Sequence, residues 1–356
     1  MKSIENNHDS DRSYGRNKTG DSLYFLLPFL MAAVVLIARP APLYAKSIDR
    51  GVMSVDFLYS IEYTSGRSEK LGEPIDIFFD RKKNELYIVD ARTSKIYVYD
   101  NSGMFLQEIK LTGVNSPPGM MAVDGKGNMY VGYLGSPKIS IFDYKGEPLE
   151  HLDLPGIVDA PGNTERPVRL SSGPDGRVYS LKKTGGVVKI DFDNESHEEI
   201  SISGDGQPNV IIGMGIDSAG RFLFTDVRPY SVVVFDPAKK TFRRFGTPGV
   251  LYGQITRPTG VAADDAGHVF VLSGTISKVS CFDREGEFIE EFGGLGDRYG
   301  QFYMPSKIVS DGKDRLFVLE NTLKRVQVFK IRFLKEEKQI QSARAGPWMK
   351  SCKKGR

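Results

Sequence analysis

The residues best suited to chemistry are charged side chains at one position of a repeated pattern. Asp76, Arg169 and Lys307 each lie four residues before the turn that follows a short, mainly apolar run. Uncharged residues hold this position in the other repeats, namely Met120, Gly213 and Gly260. One carboxylate and two cations at matching positions favour an ion pair or an anion-binding group.

The same set of residues is poorly suited to a metal ion. Calcium requires about six oxygen ligands, and zinc requires about three or four His, Cys or carboxylate ligands. His151, His197 and His268 are predicted on outer strands and in a hairpin, where three imidazoles cannot converge. No Gly-x-Ser-x-Gly nucleophile motif occurs either. The sequence therefore predicts no metal, no cofactor and no catalytic residue.

Two interpretations of the charged residues stay open. Asp76 and Lys307 belong to the first and last repeats, so they can form an ion pair where these repeats meet. Alternatively, Arg169 and Lys307 together form an anion-binding mouth, because a guanidinium binds carboxylate or phosphate through two parallel hydrogen bonds.

Further candidates for recognition lie in predicted loops. They are Tyr252, Tyr299, Arg92 and Arg228. Binding residues occur more often in loops than in strands, and Tyr and Arg are common in protein interfaces. Tyr252 and Tyr299 occupy equivalent positions of two repeats, so packing between repeats is the alternative.

All these positions belong to a repeat of 43 to 49 residues. Its anchor is an apolar run such as "ELYIVD" or "HVFVLS", in which the second large residue is Tyr87, Tyr130, Tyr179, Leu223, Phe270 or Phe317. A second alternating run follows, and five of its six copies end in Asp, namely Asp100, Asp143, Asp191, Asp236 and Asp283. These Asp residues are predicted to bond the backbone of a turn, and Asp90 and Asp226 to cap loops after the anchor strand.

The repeat predicts four short antiparallel strands, the first of them usually opened by Pro (Pro74, Pro118, Pro167, Pro258 and Pro305). Six such units predict an all-β fold, a six-bladed β-propeller. The sixth unit has three strands only. "FLYSIEYTSG" from Phe57 matches "FLQEIKLTGV" from Phe105, so an N-terminal strand is predicted to complete the last blade and remove the open seam.

Three segments carry a resemblance to a known family: "YGQITRPTGVAADDAGHVFVLS", "YGQFYMPSKIVSD" and "LYIVDARTSKIYVYD". They resemble the NHL repeat of six-bladed β-propellers, and the resemblance covers about residues 55 to 333. It implies a closed ring with a central channel. Related propellers of the lactonase, arylesterase and lyase types hold a metal in that channel, so the resemblance also implies a metal-dependent enzyme as an alternative.

The N-terminal segment of the sequence predicts that the protein is exported. Residues 23–38 carry no charge, and Leu43-Tyr44-Ala45 is suited to signal cleavage. We expect residues 1–45 to be a signal peptide or, alternatively, an inner-membrane anchor. The propeller is predicted over residues 46–334. A basic tail, 335–356, carries seven positive and two negative charges.

Composition and these features together predict a binding protein. The net charge is +3, which gives no global field for nucleic acid. We expect a monomeric, non-enzymatic propeller, periplasmic or secreted, that binds a protein partner or an envelope polymer. The alternative is a metal-dependent hydrolase or lyase of the lactonase kind.

Overall fold

A computed structural model describes residues 53–333 except 66–68, 114, 153–165, 193 and 195. The predicted segments 1–45 and 335–356 lie outside the described residues. Within the described part of the chain, no helix is long and apolar enough to cross a membrane.

The described chain forms six four-stranded antiparallel sheets, so the predicted six-bladed β-propeller is confirmed. We number the blades 1 to 6 along the chain. Strand β1 (Met53–Ile61) comes first and belongs to blade 6.

The strands of the first three blades follow the chain order from the inside of the ring outwards. Blade 1 contains β2 (Pro74–Asp80), β3 (Glu85–Asp90), β4 (Lys95–Asp100) and β5 (Phe105–Lys110). Blade 2 contains β6 (Pro118–Val123), β7 (Met129–Tyr133), β8 (Ile139–Phe142) and β9 (Pro148–Leu152). Blade 3 contains β10 (Pro167–Ser172), β11 (Val178–Lys182), β12 (Val187–Asp191) and β13 (Ser196–Ile200).

The last three blades include one small pairing that the sequence did not predict. Blade 4 contains β14 (Ile211–Ile216), β15 (Phe222–Val227), β16 (Tyr230–Asp236) and β17 (Thr241–Phe245). A short parallel pair, β18 (Thr247–Pro248) with β19 (Gln254–Ile255), lies in the loop that leads into blade 5. Blade 5 contains β20 (Pro258–Ala263), β21 (Val269–Ser273), β22 (Lys278–Phe282) and β23 (Phe288–Gly293). Blade 6 contains β24 (Lys307–Ser310), β25 (Arg315–Glu320) and β26 (Arg325–Phe333), with β1 outside.

The core lies between neighbouring blades. Five of the six anchor residues are buried there and Tyr179 is partly buried, because alternating side chains of the second and third strands project towards the adjacent sheets. Phe79 of blade 1, for example, stacks on Phe317 of blade 6 with ring centroids 4.9 Å apart. The inner strands of consecutive blades contact one another, and β2 contacts β24, which closes the ring.

The outer strand of the last blade comes from the N-terminal part of the chain, as predicted. β1 pairs with β26 in antiparallel register from Met53 opposite Phe333 to Ile61 opposite Val326. Phe57 stacks on Tyr299 and packs edge-on against Phe329, with ring centroids at 4.9 and 5.9 Å. The strand begins four residues before Phe57, earlier than the matched sequence segment.

The ring has two faces. On the crossover face, the chain passes from the outer strand of one blade to the inner strand of the next, and the second and third strands of each blade are joined. On the terminal face, β1 begins and β26 ends side by side, and the inner strands end in turns such as 81–84.

The turns of blades 1, 2, 4 and 5 confirm the predicted role of Asp after the third strand; in blade 4, Asp236 accepts the backbone N–H groups of Ala238 and Lys239. Asp100, Asp143 and Asp283 each accept backbone N–H groups from the residues two and four positions ahead. These bonds fix the outer hairpins of blades 1, 2 and 5 on the terminal face.

We predict that the ring does not hold together without β1. A chain that starts at residue 62 exposes the edge of β26 and the apolar side chains that β1 covers. It should lose the cooperative unfolding transition in urea and aggregate. A chain that starts at residue 51 keeps β1 and is the control, so a cooperative transition in both chains would contradict the closure.

Candidate functional site

The inner strands surround a central cavity of about 510 Å³. Its walls combine apolar side chains, among them Leu170, Ile216 and Val309, with charged ones, among them Asp80 and Asp217. The turns at the ends of the inner strands also line it, so the cavity opens on the terminal face. A volume of this size suits a small molecule, since ligand pockets are commonly about 300–1,000 Å³.

In five blades, a β-bulge precedes the inner-strand residue that corresponds to Asp76; we call this residue the ring position. The register shifts after the first residue of β2, β6, β10, β14 and β20, immediately before Asp76, Met120, Arg169, Gly213 and Gly260. A bulge redirects the side chain that follows it. Ile211 replaces the usual Pro in blade 4, yet the bulge remains, so Pro is not required for this geometry.

The ring position of blade 1 connects three blades. Lys307 Nζ lies 2.6 Å from Asp76 Oδ1, and the side chains are only 13 % and 4 % exposed. The backbone N–H of Met121 in blade 2 donates to Asp76 Oδ2 at 3.0 Å. The ion pair considered from the sequence is therefore present, and Asp76 joins blade 1 to both of its neighbours.

Arg169 approaches the same ion pair from blade 3. Its guanidinium donates to the carbonyl of Val168 at 2.8 Å. Burial lowers the pKa of Arg169, and the charge of Asp76 opposes this shift. Burial also lowers the pKa of Lys307; Asp76 again opposes the shift, and Arg169 reinforces it. The cluster holds two cations and one carboxylate, so it carries an excess positive charge.

The cluster lies deep in the channel. Lys307 is the first residue of β24, whose last residue, Ser310, lies at the terminal face. Three residues of strand span about 10 Å, which places the charge well below the cavity opening. Whether Asp76, Arg169 and Lys307 bind a ligand stays a prediction.

These residues do not fit a calcium or zinc site. Lys307 already occupies one oxygen of the Asp76 carboxylate, and two cations beside it repel a metal ion. Among the described residues, no group of three or more His, Cys, Asp or Glu side chains is arranged to hold a metal. His268 lies in a turn on the terminal face and bonds to Asp264 through Nδ1 at 2.7 Å.

Acidic side chains on the crossover face cap the loops, as predicted. Asp226 is fully buried, and its carboxylate accepts the backbone N–H groups of Asn209, Val210 and Arg228 at 2.9–3.0 Å. Asp90 binds the backbone of residues 72, 73, 92 and 93 in the same manner. Each carboxylate joins the turn of its own blade to the loop that enters that blade.

The predicted loop residues all lie on the crossover face, but they do not form one cluster. Arg92 and Arg228 are exposed in turns of blades 1 and 4. Tyr252 bonds Glu290 through its hydroxyl and packs edge-on against Phe288 at 5.0 Å. The ring of Tyr299 covers Phe57. Both tyrosines therefore pack between elements and remain partly exposed, at 50 % and 39 %.

The sequence did not predict the exposed apolar residues beside these tyrosines. We call these residues and the tyrosines together the apolar arc; its members are Val250, Leu251, Tyr252, Leu295, Tyr299, Tyr303 and Met304. They lie on the two consecutive loops that enter blades 5 and 6. The sequence feature that accompanies them is an aliphatic residue within a turn-rich segment, as in "TPGVLYG" and "GGLGDRYG". This pattern does not show whether the aliphatic side chain is exposed.

Hydrogen bonds fix both loops of the apolar arc. The side-chain oxygen of Gln254 accepts the backbone N–H of Leu251 at 3.0 Å, and that of Gln327 accepts the N–H of Gly300 at 2.8 Å. Glu320 accepts the N–H of Tyr303 at 2.7 Å. The apolar side chains are thus presented on an ordered backbone.

Solved structures with the same fold show the architecture of the chain. A protein of unknown function from Bacteroides thetaiotaomicron aligns with a TM-score of 0.59 at 12 % identity, over 79 % of this chain and 76 % of that one. A gluconolactonase from Xanthomonas campestris aligns with a TM-score of 0.55 at 14 % identity, over 79 % and 90 %. A virginiamycin B lyase from Staphylococcus aureus aligns with a TM-score of 0.51 at 12 % identity, over 71 % and 79 %.

At these identities the similarity concerns the fold alone. The neighbours are six-bladed β-propellers and include enzymes as well as a protein of unknown function. No protein-family model and no curated protein matches the sequence.

The ion pair yields a prediction about stability. Asp76→Asn leaves Lys307 and Arg169 buried without a counter-charge, which should lower the free energy of unfolding by about 3–5 kcal/mol. Lys307→Met leaves Asp76 with the Met121 N–H and the charge of Arg169, so the loss should be smaller, about 1–3 kcal/mol. Urea titration measures both losses. If Asp76→Asn loses no more free energy of unfolding than Lys307→Met, Asp76 does not connect the blades.

The cap at Asp226 yields a prediction about pH. Burial raises its pKa, but the three backbone N–H groups and the Arg244 guanidinium outweigh that effect and hold the pKa below the ordinary 3.8. The Asp226 cap therefore stabilises the fold above about pH 4, and this contribution is lost as the pH falls through the lowered pKa of Asp226. Between about pH 5 and about pH 2, the wild type should lose more free energy of unfolding than Asp226→Asn.

The matched control is Asp205→Asn, an exposed acid in the loop that enters the same blade. Its pH dependence should follow that of the wild type. If Asp226→Asn follows the wild type as well, the cap has no role in acid stability.

Proposed function

We propose that this chain is an exported NHL-type propeller that serves as a non-enzymatic binding scaffold in the cell envelope, with a protein partner on its crossover face. The observation that carries the proposal is the apolar arc. Leu251 and Leu295 are 69 % and 67 % exposed, on neighbouring loops. Clustered apolar side chains on a soluble surface commonly mark an interaction site.

The chemistry of the crossover face suits a protein partner. Aromatic residues, Met and Arg are enriched in protein interfaces, and a few large side chains near the centre supply most of the binding energy. The apolar arc contains three Tyr residues and Met304, and its loops are already ordered by hydrogen bonds. Ordered loops reduce the entropy lost on binding. An envelope polymer is the other class of partner for the same face.

The enzyme alternative has less support. Several structural neighbours are a lyase or a lactonase by name, but the fold alone does not transmit an activity. The residues at the channel ring of this chain do not fit a calcium or zinc ion. The channel cluster of Asp76, Arg169 and Lys307 favours a carboxylate or phosphate group if the cavity binds a ligand, because its excess charge is positive.

Crosslinking in the native cell tests the proposal. A photoreactive amino acid at Leu251 of the full chain should give a discrete adduct with one protein, which mass spectrometry identifies. The same probe at Met104, an exposed apolar residue on the terminal face, should not give that adduct. Leu295→Glu should abolish the adduct at residue 251, because it places a charge in the same interface.

Leu149→Glu is the matched control, since Leu149 is exposed on the outer strand of blade 2. It should leave the adduct unchanged. No discrete protein adduct at residue 251, or one that survives Leu295→Glu, would contradict the proposed partner site.

A further inference from the structure

The terminal face has an uneven distribution of charge. In the turns of blades 6, 1 and 2, the exposed charged residues are six cations and one acid: Arg81, Lys82, Lys83, Lys126, Lys145, Lys313 and Glu147. In the described turns of blades 3, 4 and 5 there are three cations and four acids: Lys239, Lys240, Arg284, Asp175, Asp265, Glu285 and Glu287. We call the first set the basic half.

The acids of these turns are less exposed than the cations. Five of them accept backbone N–H groups and are buried or half-buried, namely Asp80, Asp100, Asp124, Asp143 and Asp311. Asp314 pairs with Lys330 at 3.0 Å. Arg81 pairs with Asp265 of blade 5 at 2.9 Å. Lys82 donates to the carbonyl of Gly125, and all six cations of the basic half are exposed.

Two exposed apolar residues lie at the tips of hairpins in the same half. Met104 is 59 % exposed in blade 1, and Tyr144 is 57 % exposed in blade 2. The ammonium of Lys145 lies 5.5 Å from the centre of the Tyr144 ring. Tyr beside Lys is a combination that suits the boundary between lipid headgroups and hydrocarbon.

The chain ends connect the basic half to the uncharged N-terminal run. β1 begins at Met53 in blade 6, one of the three blades of the basic half. Residues 39–52 separate Met53 from the apolar run 23–38 in the sequence. The basic tail follows β26, which ends opposite Met53.

We propose that the basic half of the terminal face docks on an anionic lipid bilayer. The lysines contact lipid phosphates, while Met104 and Tyr144 enter the headgroup region. Anionic headgroups attract clustered Lys and Arg residues over about one Debye length. In this orientation the crossover face, with its apolar arc, points away from the membrane.

The test measures orientation, because the N-terminal run of the full chain can associate with lipid by itself. An environment-sensitive fluorophore is placed at Tyr144→Cys in the full chain with Cys352→Ser. Cys281 is retained, since it is fully buried and its burial raises the thiol pKa. Vesicles contain equal parts phosphatidylcholine and phosphatidylglycerol, or phosphatidylcholine alone, with nitroxide-labelled lipid as quencher.

We expect quenching at residue 144 in the anionic vesicles only, and none for the same fluorophore at Leu251→Cys. The triple variant Lys82→Glu/Lys83→Glu/Lys126→Glu should reduce the docked fraction at least about tenfold. The control Lys239→Glu/Lys240→Glu changes charges on the same face, outside the basic half, and should leave quenching unchanged.

Three results would overturn the proposal. Equal quenching at residues 144 and 251 would mean that the propeller has no fixed orientation. Equal quenching in neutral vesicles would mean that docking of the basic half does not depend on the charge of the lipid. If the fluorophore at residue 144 is shielded from solvent in native envelopes but not by pure lipid vesicles, the basic half binds a protein partner instead.

Discussion

The antiparallel pairing of β1 with β26 is the constraint on which the structure depends. It joins the two ends of the described chain within one blade, so the last sheet has no unpaired third strand. Because β1 starts where β26 ends, the described part of the chain begins and ends on the terminal face. Among the described residues, the crossover face consists of the loops between blades and the turns that join second and third strands.

Inside the ring, the carboxylate of Asp76 links neighbouring blades. Asp76 receives Lys307 from blade 6 and a backbone N–H from blade 2. A buried ion pair adds little net stability over apolar packing, since desolvation offsets the attraction. Its geometry is specific, and it links consecutive blades where the ring closes, while it leaves an excess cation below the central cavity.

The repeats carried most of the information about the fold. Alignment of equivalent positions predicted the architecture, the Phe57 strand and the approach of Asp76 to Lys307, although these two residues are far apart in sequence. The bulge at Ile211 and the β18–β19 pair were not predictable, because they depend on local backbone geometry without a residue signature. The exposure of Leu251 and Tyr299 depends on distant neighbours; the ring of Tyr299, for example, stacks on that of Phe57.

Hydrogen exchange of the full chain tests the central claim of ring closure most directly. β26 is a third strand flanked by β25 and β1, so its backbone amides should exchange as slowly as those of β16, the third strand of blade 4. If the amides of β26 instead exchange as rapidly as those of the outer strand β17, then β1 does not complete blade 6 and the account of the two faces is wrong.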